Sequence, residues 1–131
     1  MLTDAIVSVI VKDGKVLLIE RGQSTPFAGW WGPVSGKIEA GESPEAAIAR
    51  ESLEEVGLTV RPIRKVWENI SSGGRYRLHW WLAEYVSGEL ALDAREARAA
   101  RWVAPEEIFA MKIFEGDREF YEQVLPTLRE K

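Results

Sequence analysis

The sequence contains no cysteine, so disulfides, a thiolate nucleophile and a cysteine-based zinc site are all excluded. Its one histidine, His79, has no partner at metal-ligand spacing. No apolar run approaches the length of a membrane-spanning helix, and Met1-Leu2-Thr3-Asp4 lacks the charge pattern of a signal peptide. These absences predict a soluble cytoplasmic protein that engages no membrane. Basic residues are outnumbered, 17 Lys and Arg against 21 Asp and Glu, and the resulting net charge of −4 argues against a domain that coats nucleic acid. Asparagine occurs once and glutamine twice in a chain rich in Arg and Glu, which fits a heat-tolerant source. There is no EF-hand ligand loop, repeat, low-complexity tract or linker. The 131 residues predict a single domain, 1–131, able to bury about two-thirds of its unfolded surface. Sequence leaves the oligomeric state open, monomer or homodimer.

What is present concentrates between Gly36 and Leu58. Ser43 suits an N-cap, Pro44 the first helical position and Gly57 a left-handed stop, so the spacing predicts a helix from Ser43 to Gly57. At 100° per residue, Ile48, Ala49, Ser52, Leu53 and Val56 fall on one side, the expected packing face. Glu51, Glu54 and Glu55 fall on the other as a carboxylate stripe. Like charges at this spacing cost roughly 0.2–0.5 kcal/mol per pair, and Glu54 and Glu55 also stand at the unfavourable end of the helix dipole. Arg50 offsets part of that repulsion. Divalent cations such as Mg²⁺ or Mn²⁺ are the natural neutraliser of carboxylates held on a rigid scaffold.

Gly36, Glu42, Arg50-Glu51, Glu54-Glu55, Gly57 and Leu58 stand at the spacing that resembles the signature of the Nudix hydrolases. Ser52 departs from it, standing where an aliphatic residue is usual; its hydroxyl is expected to bond back to the Ile48 carbonyl. The resemblance implies an α/β (α+β) fold in which a mixed β-sheet is sandwiched between helices. It also implies metal-dependent hydrolysis of a nucleoside diphosphate linked to another group. Gly36, through its carbonyl, Glu51, Glu54 and Glu55 would be the ligands of Mg²⁺ or Mn²⁺, Arg50 would orient the carboxylates, and Glu42 would support the loop and helix. Two candidates remain open for the group that accepts the attacking water's proton, Glu54 and Glu96.

The remaining chain is consistent with that architecture. Ala5 to Val11 reads as a central strand covered on both faces, and Asp13-Gly14 as a hairpin turn into Val16 to Ile19. An ordered loop from Gly22 to Pro33 leads to a short strand at Val34-Ser35. Leu58 to Ile70 reads as a strand interrupted near Pro62, hence an edge or a bulge, and pairs with Tyr76 to Tyr85. Leu90 to Leu92 is a further short strand, Asp93 to Arg101 a loop or helical turn, and Trp102-Val103 a final short strand. Helices follow from Pro105 and from Asp117, the second shortened or kinked at Pro126.

A small nucleotide is the expected partner. Arg21 and Arg77 are candidates for gripping phosphates, and Trp30 and Tyr76 for stacking on a base. With no feature that reads one base over another, dinucleoside polyphosphates and nucleoside triphosphates are expected ahead of ADP-ribose. The alternative is a non-catalytic nucleotide-sensing or interaction domain on the same fold. Such a module is expected to lose a carboxylate, and all three are present.

Overall fold

The computed structural model describes residues 1–23 and 25–128. Ser24, within the expected loop from Gly22 to Pro33, and the last three positions of the expected domain lie outside the described residues. Seven strands form one mixed sheet: β1 (Thr3–Lys12), β2 (Lys15–Arg21), β3 (Trp31–Gly32), β4 (Val34–Lys37), β5 (Thr59–Ile70), β6 (Tyr76–Ser87) and β7 (Ala97–Val103). β1 is central. It runs parallel to β6 on one edge, while its other edge is shared by β2 at Val11-Lys12 and β4 at Ala5 to Ser8. Asp13 and Gly14 take φ of 52° and 78°, the two positive values that a two-residue hairpin turn demands.

β1 is almost wholly apolar because both its faces are covered. Ile6 and Ile10 join Leu17, Ile19, Ile48 and Val56 in a layer under helix α1 (Pro44–Val56). Val7 and Val9 join Leu18, Trp80, Phe120 and Leu125 in a layer under the C-terminal helix. Burying an aliphatic side chain of this size contributes ~1.5–3 kcal/mol. Trp80 and Trp81 alternate between the two layers as adjacent strand residues must, and Trp80 stacks on Phe120 at 4.5 Å.

α1 begins and ends as its sequence requires. The Ser43 hydroxyl accepts from the Ala46 N–H, and Gly57 closes the helix at φ 77°. Its buried face is rotated from the expected one: Ala47, Ile48, Ser52, Glu55 and Val56 are buried, while Ala49 and Leu53 are exposed. The expected bond from Ser52 to the Ile48 carbonyl gives way to a cross-element one, because Ser52 meets the Ser8 hydroxyl of β1 at 3.1 Å.

β5 is an edge strand whose pairing with β6 shifts register around Pro62, as its proline dictates. Leu90 to Leu92 form no strand; the Ala91 and Asp93 N–H groups instead bond the Val56 and Glu55 carbonyls, tying this segment to the end of α1. β7 starts at Ala97, well before Trp102, because its alanines and arginines pair along β2 from Arg21 to Val16. A 3₁₀ helix spans Pro105–Ala110. The last helix opens as α2 (Glu115–Glu119), widens to a π-helix over Phe120–Val124 and tightens to 3₁₀ over Leu125–Leu128. Pro126, which has no N–H to donate, lies in the 3₁₀ turn that follows the π stretch. Among the described residues no helix is long and apolar enough to cross a membrane.

Candidate active site

Gly36 on β4 lies against Glu51 on α1. A Cβ added at Gly36 would stand 2.1 Å from Glu51 Oε2, so any larger residue here displaces the Glu51 carboxylate from its present position. Arg50 organises the carboxylates around it. Its Nε donates to Glu42 Oε2 at 2.7 Å and its Nη2 to Glu42 Oε1 at 3.0 Å, the two-pronged geometry of a strong guanidinium–carboxylate pair. Nη1 donates to Glu51 at 3.0 Å and Glu54 at 3.3 Å, and Nη2 also reaches the Lys37 carbonyl at 3.1 Å. Arg50 and the Glu39 backbone N–H hold Glu42 down at a pKa of about 2, and Glu42 in turn raises the Arg50 pKa further above its ordinary value. Glu42 thus joins loop to helix through Arg50.

The three glutamates of the stripe have different surroundings. Glu54 is exposed, Glu51 half-buried, and Glu55 only 5% exposed with no hydrogen-bond partner for its Oε1. Burial pushes the Glu55 pKa up, the neighbouring Glu51 carboxylate pushes it further, and the Arg21 guanidinium opposes both. A buried carboxylate beside a second one is costly unless a cation neutralises it. Among the described residues no three acidic or imidazole side chains converge on one point; Glu54 is drawn onto Arg50 instead. The donor set nonetheless fits a hard divalent cation: an unpartnered buried oxygen, an adjoining carboxylate, and a glycine backbone brought against it.

Beside this cluster opens a cavity of about 930 Å³, lined by Arg21, Phe27, Asn69, Tyr76, Phe114 and Asp117 among others. Arg21, at the end of β2, donates from Nη2 to the Ser35 hydroxyl at 2.9 Å. Its charge opposes the upward push of burial on both Glu55 and Asp117, so one guanidinium in the cavity wall acts on the acidic cluster and on the cavity. Glu96 also lines the cavity, its carbonyl bound by the Gly22 N–H at 3.0 Å, and its charge reaches Glu55.

Gly36, Arg50, Glu51, Glu54 and Glu55 are brought together, and Arg21, Tyr76 and Glu96 meet in the cavity wall. Trp30 packs on Phe114 at 5.5 Å, with the Lys112 ammonium 4.8 Å over its ring, rather than lining the cavity itself. Arg77 points to the other face of β6 from Tyr76, towards Asp4 at 3.9 Å and Glu68 at 3.7 Å, because successive strand residues alternate. Arg77, expected to grip phosphate, is not among the residues that line the cavity.

Asp117, Asn69 and Phe114 were not among the residues expected from sequence. Asp117 is half-buried, and loss of solvent around its carboxyl lifts its pKa to about 7 against the pull of Arg21; an acidic residue at a helix start gives no sign of that environment. Asn69 is the sole asparagine, a signal of rarity without a location.

Residues 2–124 match the NUDIX domain family. A CTP pyrophosphohydrolase from Escherichia coli K12 is 33% identical over 87% of this chain and 84% of that protein. A putative 8-oxo-dGTP diphosphatase 2 from Mycobacterium tuberculosis is 33% identical over 98% of this chain and 92% of that protein. A MutT protein structure from Methanosarcina mazei superposes with a TM-score of 0.83 at 24% identity, covering 99% of this chain and 96% of that one, and so shares the fold. With the glycine–glutamate contact, the arginine hub and the buried carboxylate in place, the chain belongs to the Nudix hydrolases, pyrophosphohydrolases that act on phosphoric anhydrides.

Proposed function

We propose that this protein hydrolyses small nucleotides at a pyrophosphate linkage, with nucleoside triphosphates and dinucleoside polyphosphates ahead of ADP-ribose, and that it does so with Mg²⁺ or Mn²⁺. The observation that carries this reading is the position of Arg21. It lines a cavity large enough for a nucleoside and its charge acts on Glu55 of the acidic cluster, so a phosphate chain running from one to the other meets a guanidinium. The two relatives named for triphosphate substrates support triphosphates over ADP-ribose.

In this reading the Gly36 carbonyl, Glu51, Glu54 and Glu55 hold the cation, which supplies charge neutralisation and polarisation of the phosphoryl oxygens. Arg50 aligns Glu51 and Glu54. The water oxygen forms a bond to one phosphorus as the anhydride P–O bond breaks, and the departing phosphate group keeps the electron pair. The water's proton goes to a carboxylate, Glu54 or Glu96. Phe27, Phe114 and Tyr76 offer aromatic surface to the base. The Asp117 carboxyl, which takes up or gives up a proton near neutral pH, meets the base's polar edge.

The test is turnover of the four common nucleoside triphosphates, diadenosine polyphosphates and ADP-ribose, each with Mg²⁺, with Mn²⁺ and with EDTA. Cleavage of triphosphates only in the presence of metal, with ADP-ribose slower, is expected. Preferential cleavage of ADP-ribose, or undiminished turnover in EDTA, overturns the reading.

A further inference from the structure

The cavity has two walls that come from distant parts of the chain, the β5–β6 hairpin and the start of α2. Asn69 joins them. Its Oδ1 accepts from the Trp80 indole N–H at 2.7 Å, and its Nδ2 donates to the Gly116 carbonyl at 3.1 Å. Both ends of this bridge are constrained. Trp80 is 1% exposed and wedged against Phe120 at 4.5 Å and Trp67 at 5.3 Å, so its N–H is a fixed donor. Because Trp80 takes the carbonyl oxygen of the Asn69 amide, the NH₂ group is turned towards α2.

α2 receives this bridge in its first turn. Its N-cap is Phe114, which provides no side-chain cap, and the Phe120 N–H bonds the Asp117 carbonyl. The Gly116 carbonyl accepts a bond from outside the helix, from Asn69. The helix start also sits close to the hairpin: a Cβ at Gly116 would be 3.7 Å from the Ser72 hydroxyl and 3.9 Å from Asn69 Nδ2. Asp117 is the next residue and lines the cavity.

We propose that Asn69 is a positioning residue for substrate selection: it ties the indole of Trp80 to the backbone at Gly116 and thereby sets where the Asp117 carboxyl stands in the cavity. The proposal rests on the reading above that the cavity receives the base. An aspartate at position 69 still accepts from Trp80 but turns a second acceptor towards the Gly116 carbonyl, so the link becomes a repulsion with no change in side-chain size. A leucine removes both bonds without adding charge.

The experiment compares kcat and KM for the four common nucleoside triphosphates and for ribose 5′-triphosphate, which has no base, in wild type, Asn69→Asp, Asn69→Leu, Asp117→Ala and the double variant Asn69→Asp/Asp117→Ala. Thermal melts confirm that each variant is folded. Both Asn69 variants are expected to lower the preference for the best nucleotide over ribose 5′-triphosphate by about tenfold, mainly through KM. In the Asp117→Ala background, Asn69→Asp should shift that preference by less than about twofold, since its effect passes through the absent carboxyl. If Asp117→Ala leaves base preference intact, the base reading of the cavity fails and this proposal with it. If Asp117→Ala abolishes the preference but the Asn69 variants retain it, the proposal alone fails. Equal losses on nucleotides and ribose 5′-triphosphate in both Asn69 variants also overturn it, because the effect is then on the fold as a whole.

Discussion

The hydroxyls of Ser8 and Ser52 meet at 3.1 Å between β1 and α1, both side chains fully buried in an otherwise apolar layer. Each is the other's hydrogen-bond partner across 44 residues of chain. A hydroxyl bonded only to the Ile48 carbonyl of its own helix, as expected from sequence, could be removed at little cost, but this one has a partner on another element. Ser52→Ala should therefore destabilise by ~1–3 kcal/mol, because it strands the Ser8 hydroxyl away from water. The double variant Ser8→Ala/Ser52→Ala should recover much of that loss. Urea unfolding of the two single variants and the double gives the coupling, and additive losses would show that the two hydroxyls act independently.

Gly36 and Glu51 give a second expectation. In Gly36→Ala the new methyl falls on the Glu51 carboxylate, so the Glu51 side chain must swing out of its present position. Turnover should fall by about a hundredfold or more, the scale on which small misplacements of a reacting geometry are felt. Binding of Mn²⁺, followed by calorimetry in the absence of nucleotide, should weaken in parallel. Unchanged Mn²⁺ affinity would remove Gly36 and Glu51 from the cation site.

Asp117 makes stability depend on pH in a definite direction. Its pKa in the folded protein is raised to about 7 from an ordinary 3.8. Between those values the folded state holds a proton that the unfolded chain has released, so stability falls as pH rises through that window. Asp117→Asn should therefore melt higher than wild type above pH 7, and the advantage should shrink towards nothing as the pH drops below 4. Melting scans in EDTA across this range measure it. A constant difference at all pH values would mean that the carboxyl does not titrate in this window.

Much of the acid cluster was legible in the sequence because its signals are local. Ser43, Pro44 and Gly57 bound α1 through bonds and backbone angles within a turn of themselves, and the spacing of Arg50, Glu51, Glu54 and Glu55 is fixed by helical pitch. Asp13-Gly14 likewise specifies its turn through two positive φ angles. Hydrophobic periodicity failed at Leu53 and Glu55 for an identifiable reason. It assigns the leucine inward and the glutamate outward, whereas the site turns a carboxylate into the protein and leaves the leucine exposed.

The amino-acid sequence by itself determined the helix limits, the central strand buried on both faces and the order of the carboxylates, since these follow from forces acting between residues a few positions apart. Tertiary structure decided which carboxylate is buried, that Ser52 has a partner in Ser8, that Arg77 faces away from the cavity, and that Asn69 reaches Gly116 across 47 residues. The physical reason is that desolvation and the choice of hydrogen-bond partner depend on what the folded sheet brings alongside a residue, and a residue's neighbours in sequence do not contain that information.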